Sequence, residues 1–127
     1  MTEIQSMVLA NLSETMSEEN LWNAIVAFQN EPFFTVSGLP FRYEIKVGKN
    51  GKYNKELIIN RRTESKPIVW SSIVLAFNNA LKLKGIVVER PKALGDIRGI
   101  SYIYPLLYLF GVIEVPEKYR LIFNRNN

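Results

Sequence analysis

The hydrophobic pattern of residues 66–85 predicts the helix around which the chain is organised. Apolar side chains recur there at i, i+3, i+4, i+7 and i+11, the spacing of one helical face. They are Trp70, Ile73, Val74, Phe77 and Leu81. Pro67 suits a first turn, where its missing N–H costs nothing. Lys82 and Lys84 complement the dipole of the last turn, and Gly85 suits the position just after it. We therefore predict a central helix between Lys66 and Gly85.

Two shorter helices are predicted before the central one. An apolar stripe in residues 2–14 predicts the first, formed by Ile4, Met7, Val8 and Leu12. The second begins after Ser17, a good N-cap, with Glu18 and Glu19 at the positive end of its dipole, and it should end before Pro32. Its predicted buried side comprises Leu21, Trp22, Ile25, Val26 and Phe28. We interpret the two aromatic members of this set as core anchors.

A β-hairpin is predicted between these helices and the central one. Strict alternation over residues 41–47 gives a strand whose apolar face comprises Phe41, Tyr43, Ile45 and Val47. A two-residue Asn50-Gly51 loop would set this face opposite Asn60, Ile58, Glu56 and Asn54. A three-residue loop, residues 49–51, sets it opposite Ile59, Leu57, Lys55 and Tyr53. We predict the three-residue loop, because it keeps most apolar residues on one face and gives Gly51 the left-handed bulge position.

The remaining segments complete an α+β fold in a single domain, residues 1–127. Short strands are predicted at residues 33–36, 86–89 and 112–115, the second of them buried, and an edge strand is predicted in the last dozen residues. Ser101 is predicted to cap a final helix. The predicted order is two N-terminal helices, an antiparallel hairpin or small sheet, the central helix, and a C-terminal helix with a short strand.

Composition excludes several kinds of chemistry. The chain has 127 residues, of which 47% are hydrophobic and 22% charged, as is typical of a folded protein. It has no Cys and no His, which removes thiolate and Ser-His-Asp catalysis and the usual zinc ligands. No phosphate-binding loop is found, and Asp96 is the only aspartate. We therefore predict a non-enzymatic protein with no catalytic residues, cofactor or metal.

The sequence also predicts a cytoplasmic location and no membrane partner. The first sixteen residues lack a basic region and a continuous apolar core, so no signal peptide is expected. The longest apolar run, residues 102–112, contains Pro105 and Gly111 and is too short to span a bilayer.

Charge is distributed unevenly along the chain. Residues 1–40 contain five Glu and no Lys or Arg, whereas residues 41–127 hold all 16 Lys and Arg against seven acids. This gives the first part a charge of −5 and the second a charge of +9. A polyanionic partner for the basic part is one interpretation. The other is that the acidic helices pack beside the basic sheet and offset its self-repulsion.

The leading functional hypothesis is a nucleic-acid-binding protein, with DNA as a candidate target and regulation as its role. Basic residues and hydroxyls at a helix N-terminus are the groups that hold phosphates. The candidate nucleic-acid-binding residues are Lys46, Lys49, Lys52, Lys55, Arg61, Arg62, Lys66, Ser71, Ser72, Arg90, Lys92 and Arg98. Among the tyrosines, Tyr53 and Tyr119 are predicted to be the most exposed and so the most available for stacking on bases.

Two alternatives stay open. One is a protein–protein interaction module, either a homodimer or an inhibitor of another protein, in which the acidic helices or the basic sheet contact the partner. The other is a metal-dependent nuclease, suggested by Glu44-x-Lys46 on the predicted polar face of the first hairpin strand. An ordinary solvated strand face explains that pair equally well, and no aspartate precedes it.

Part of the chain carries a recurring signature: a helix, a Pro-Lys-x-Leu-Gly turn, and a Ser-Tyr-x-Tyr-Pro segment that ends at Gly-Val-Ile. The matching residues are Pro91, Lys92, Leu94, Gly95, Ser101, Tyr102, Tyr104, Pro105, Gly111, Val112 and Ile113. Over residues 71–117 the chain resembles a group of short, uncharacterised bacterial proteins. The resemblance implies a bacterial or phage origin and brings no activity, cofactor or site.

Overall fold

The computed structural model describes residues 1–61 and 66–125, and within them it shows an α+β fold. The helices are α1 (Glu3–Glu14), α2 (Glu18–Ala27), α3 (Trp70–Leu81), α4 (Ile100–Leu109) and α5 (Glu117–Phe123). The strands are β1 (Phe33–Phe34), β2 (Pro40–Phe41), β3 (Tyr43–Val47), β4 (Tyr53–Ile59) and β5 (Ile68–Val69). They form two antiparallel sheets, β1-β2 and β3-β4-β5, which confirms the predicted N-terminal helices and small sheet.

The two N-terminal helices begin as the sequence predicts. Ser17 caps α2 by accepting a hydrogen bond from the Asn20 amide. The predicted stripe of α1 is wrong in part, because Ile4 and Met7 are 63% and 56% exposed. Gln5 is buried in their place, and its side-chain amide donates to the Ala27 carbonyl of α2 at 3.1 Å. This bond turns the face that carries Val8 and Leu12 toward the core, and the face that carries Ile4 and Met7 toward solvent.

The hairpin has the predicted loop but a different register beyond it. Val47 pairs with Tyr53, and Gly51 has a φ of 76°, both as expected. Further along, Ile45 pairs with Leu57 rather than with Lys55. Between these two pairs, three residues of β4 (54–56) lie opposite a single residue of β3. This irregularity is a β-bulge. The bulge removes the mismatch of an isoleucine facing a lysine, and it places buried Leu57 opposite buried Ile45.

The central helix begins later than predicted. Residues 68 and 69 form β5, which pairs with β4, so the helix begins at Trp70 and Pro67 precedes a strand instead of lying in a first turn. The fully buried side of α3 is formed by Ile73, Ala76, Phe77 and Ala80, as expected for the predicted apolar face. Trp70, Val74 and Leu81 are half-buried at its borders. The helix ends at Leu81, so Lys84 lies beyond its last turn.

The C-terminal part corrects two predictions. Gly99, with a φ of 84°, occupies the N-cap of α4, and Ser101 lies inside the first turn instead of capping it. A Cβ on residue 99 would come within 2.9 Å of the Ile68 side chain, so this approach to β5 requires glycine. The predicted final edge strand is the helix α5, since Tyr119 and Phe123, four residues apart, meet on one face with their rings stacked.

The strands predicted at residues 86–89 and 112–115 are wrong. These segments share one isolated parallel bridge, Val87 with Glu114, in which the Val88 amide donates to the Glu114 carbonyl at 2.8 Å. Val88 is buried, but Ile86 is 58% exposed. The bridge is isolated, and the chain continues into a 3-10 turn that begins at Pro91.

Candidate nucleic-acid interface

A lysine and two tryptophans from three different elements meet at the start of α3. The Trp22 ring of α2 and the Trp70 ring of α3 lie edge to face, with centroids 5.1 Å apart and planes at 77°. The Lys55 ammonium of β4 lies 5.3 Å from each ring centroid. Both rings are half-buried, and Lys55 is exposed. We call Trp22, Lys55 and Trp70 the tryptophan–lysine cluster.

The local fold explains why these three side chains meet. The bulge places Lys55 outside the paired part of the hairpin. Glu56, the next residue of β4, pairs with Val69, and α3 starts directly after Val69, so Trp70 begins its helix beside Lys55. A cation over the face of a tryptophan is attracted by the ring quadrupole, and the Lys55 ammonium is close enough to be attracted by both rings.

Tyr53, two residues before Lys55 in β4, is a further exposed aromatic residue. Its hydroxyl accepts a hydrogen bond from the Gln29 side-chain amide at 3.2 Å, while the side-chain oxygen Oε1 of Gln29 accepts from the Ile45 backbone amide at 2.9 Å. Tyr53 is 50% exposed, in agreement with its predicted exposure. Trp22 lies in the first half of α2, whereas Gln29 follows the end of that helix, so Lys55 and Tyr53 contact different parts of this region.

A second basic group lies at the opposite end of β5. The Arg98 guanidinium donates to the Pro67 carbonyl at 3.2 Å. Pro67 directly follows Lys66, so this bond holds the guanidinium near the Lys66 backbone. Both side chains are exposed. Lys66 lies four residues before Trp70, so at most about 14 Å of extended chain separates this pair from the tryptophan–lysine cluster. Arg61 is half-buried just after β4, and Arg62 lies outside the described residues.

The other candidate lysines of the hairpin lie elsewhere. Lys46 follows buried Ile45 in β3, so its side chain points to the opposite, solvent-exposed face together with Glu44. Lys49 and Lys52 are exposed at the hairpin loop. Lys49 and Lys52 are therefore at the loop, and Lys46, although it lies across from residues 54–56, is on the face opposite to that of Ile45.

Arg90 and Lys92 also belong to a different region. The 3-10 turn Pro91–Leu94 is held against the second half of α3 by a hydrogen bond of 2.7 Å from the Asn79 side chain to the Leu94 carbonyl. Asn79 is nine residues beyond Trp70, about 13 Å along the helix axis. The twelve candidate residues consequently do not share one face.

The first turn of α3 has no side-chain cap. Its N-cap is Val69, which provides no side-chain hydrogen bond to the first turn. Ser71 is exposed and Ser72 is half-buried in that turn. Nearby, Glu18 and Glu19 precede Trp22 by one helical turn on α2, so carboxylates lie next to Trp22 on the surface of that helix.

Two buried tyrosines serve the core rather than the surface. The Tyr43 hydroxyl donates to the Ile25 carbonyl at 2.6 Å, and the Tyr104 hydroxyl donates to the Val88 carbonyl at 2.5 Å. Burial, with a smaller contribution from Glu31, raises the pKa of Tyr43 well above its usual value of 10.0. Burial, then Tyr119 and Glu89, also raises the pKa of Tyr104.

Neither a metal centre nor a membrane span is found in residues 1–61 and 66–125. Those residues hold no group of three or more acidic side chains arranged to bind an ion. In the same part of the chain, every helix is too short or too polar to cross a bilayer.

The tryptophan–lysine cluster as a unit was not predicted from the sequence. Lys55 is a predicted candidate, and both tryptophans are predicted core residues; the structure packs both against the core but leaves them only half-buried. The signal that would have found the cluster is the place of Lys55 in the predicted register, where it is the one charged residue opposite the apolar face of the first strand.

No protein-family model, no curated protein and no solved structure matches this chain. The resemblance to short bacterial proteins therefore stays a prediction.

Proposed function

We propose that this protein is a non-enzymatic nucleic-acid-binding protein whose contact surface is centred on the tryptophan–lysine cluster. The observation that supports this most strongly is the Lys55 ammonium, 5.3 Å from both tryptophan rings at an exposed edge of the fold. Nucleic-acid binding needs cations for phosphates and flat rings for bases, and here the two kinds of group occur together.

The surroundings of the cluster support the same function. Tyr53 adds a half-exposed ring two residues before Lys55 in β4, and Lys66 with Arg98 adds two cations before β5. The charge of +9 on residues 41–127 would attract a polyanion over a distance of several ångströms. Lys46, Lys49, Lys52, Arg90 and Lys92 would then contribute to attraction at a distance rather than to direct contact.

We further propose that the protein acts on DNA as a regulator in the bacterial cytoplasm. A binding role without catalysis suits a chain that has neither Cys nor His. The lack of cysteine also fits a reducing compartment. The bacterial source is supported by the Pro-Lys-x-Leu-Gly and Ser-Tyr-x-Tyr-Pro signature.

Salt dependence tests the proposed function. Labelled duplex DNA, single-stranded DNA and RNA would be titrated by fluorescence anisotropy at about 50 and 200 mM salt, where each phosphate contact contributes about 0.9 to the slope of log K for a duplex and about 0.7 for a single strand. We expect binding at low salt that weakens steeply at high salt. No binding at low salt, or binding without a salt slope, would contradict the proposal.

A matched pair of variants locates the contact. Lys55→Gln should reduce the salt slope by about one phosphate contact. Lys118→Gln is the control, since Lys118 is an exposed lysine whose ammonium lies 5.0 Å from the centroid of a single ring, that of Tyr119 on α5. Equal slopes for the two variants would place the contact surface elsewhere.

The second candidate function is self-association through α1. Its exposed apolar side chains, Ile4 and Met7, lie beside the 83%-exposed Met1, in residues 1–40, the part of the chain that carries the charge of −5. A second copy of the chain supplies a basic surface complementary to that charge. Binding of the acidic face of one copy to the basic face of the next would be a head-to-tail contact.

Sedimentation at increasing protein concentration tests this candidate. We expect the average mass of the wild-type protein to rise with concentration, and a double variant, Ile4→Glu with Met7→Glu, to remain monomeric. Both substitutions lie at exposed positions, so folding should be preserved. A wild-type protein that stays monomeric throughout would remove self-association from consideration.

A further inference from the structure

We infer that the two tryptophans form a stacking site for an unpaired base, that Lys55 covers this site in the free protein, and that the ligand class is single-stranded nucleic acid. This inference rests on the proposed function and specifies it. When a strand binds, the Lys55 ammonium leaves the rings for the neighbouring phosphate, and a base takes its place.

The geometry of the rings supports a covered stacking site. Two rings at 77° with centroids 5.1 Å apart form a corner, and the ammonium at 5.3 Å from both centroids occupies the open side of that corner. Both rings are only half-buried, so they keep accessible surface once the lysine has moved. A lysine has a flexible stem and a compact charge, which allows it to exchange a ring contact for a phosphate contact.

The charges around the corner favour a single strand over a duplex. Glu18 and Glu19 lie one turn before Trp22 and would repel phosphates on the α2 side. Lys55, and beyond it Lys66 with Arg98, would attract phosphates on the β5 side. One strand can place its backbone along the basic side while a base reaches the corner. A duplex presents a second backbone, and its bases are already paired and stacked on one another.

Intrinsic fluorescence gives a direct readout of this site. The chain has two tryptophans, and both belong to the cluster, so tryptophan emission reports on no other part of the protein. An oligothymidylate would be titrated against a hairpin duplex with the same number of phosphates, at low salt. We expect the oligothymidylate to quench the emission and to bind more tightly, and the duplex to leave the emission nearly unchanged.

Two variants separate the roles of the ring and the lysine. Trp22→Leu should weaken binding of the oligothymidylate roughly 5- to 140-fold, the loss expected when stacking of one base is removed. Lys55→Met should keep the fluorescence quenching at saturation but reduce the salt slope by about 0.7, because it removes one phosphate contact and leaves both rings in place. Should Trp22→Leu fail to fold, Trp22→Phe, which retains a ring, serves in its place with a smaller expected loss.

The possible outcomes distinguish this inference from the proposed function. Equal binding of both nucleic acids with unquenched tryptophans would overturn the inference and leave the proposed function standing. No binding of either at low salt would overturn both. Loss of quenching in Lys55→Met would also overturn the inference, since it would show that the lysine, rather than the rings, holds the ligand.

Discussion

The middle of α3 and its first residue belong to the same helix but differ in what surrounds them. Ile73, Phe77 and Ala80 are enclosed in the core, each about 1% exposed. Trp70, one turn before Ile73, is half-buried and faces a tryptophan of α2 and a charged lysine of β4. The first set can only contribute to stability, whereas Trp70 keeps surface that a ligand can reach.

This difference teaches how one amphipathic pattern combines two roles. The helical spacing places Trp70 on the same stripe as Ile73 and Phe77, but β5 ends directly before it, so the stripe leaves the core at that point. A large aromatic residue at such a border retains the energetic benefit of partial burial and leaves one side accessible. We therefore expect substitutions in the middle of the helix to change folding, and substitutions at its start to change binding.

The largest expected effect is on the folding side of this comparison. Phe77→Ala should lower the free energy of unfolding by roughly 3–5 kcal/mol, because it leaves a cavity in a closely packed core. Leu75→Ala is the matched control on the same helix, since Leu75 is 51% exposed. Urea denaturation measures both. A loss below about 1 kcal/mol for Phe77→Ala would contradict its assignment to the core.

A smaller effect concerns the hydroxyl of Tyr43, which links the sheet to α2. Tyr43→Phe removes the hydrogen bond to the Ile25 carbonyl and should cost about 0.5–1.5 kcal/mol at neutral pH. Because the pKa of Tyr43 is raised in the folded protein, its contribution to stability is complete below pH 10.0, the usual value for the unfolded chain, and decreases as the pH rises above it.

Thermal denaturation of wild type and Tyr43→Phe between pH 9 and pH 11 tests this sign. The wild type should lose stability more steeply than the variant above pH 10.0. The variant should keep part of the dependence, because the pKa of Tyr104 is raised as well. Parallel curves for the two proteins would show that Tyr43 is not the group that titrates.

The smallest expected change in stability belongs to the start of the helix. Lys55→Gln should cost no more than about 0.5–1 kcal/mol, the range of cation–π contacts at exposed sites. Lys118→Gln, which removes the contact with one ring instead of two, should cost no more than that. Urea denaturation measures both variants. A loss of several kcal/mol for Lys55→Gln would show that the tryptophan–lysine cluster mainly stabilises the fold. That result would argue against its role in binding.

The parts of the fold that the sequence predicts correctly depend on local signals. Ser17 marks the start of α2, and Gly51 marks the hairpin loop, because capping and left-handed turn geometry require particular residue types nearby. The misses depend on distant partners. The two extra residues of the bulge and the strand β5 are stabilised by pairing across β4, which no local pattern records.

The candidate site shows the same limit. The charge of Lys55 and the helical spacing of both tryptophans are visible in the sequence, but these two signals predict different roles for the residues. Their meeting depends on the bulge in β4 and on the start of α3 at Trp70, two structural features that only the tertiary fold supplies.

The most direct test of the central claim is a two-dimensional NMR titration of the protein with an oligothymidylate. The two indole N–H signals, from Trp22 and Trp70, report on the start of α3, and the backbone amides of Ile73, Phe77 and Ala80 report on its middle. We predict that both indole signals shift on binding while the three amides stay in place. Unchanged indole signals in the presence of bound oligonucleotide would contradict the claim that the start of this helix carries the function.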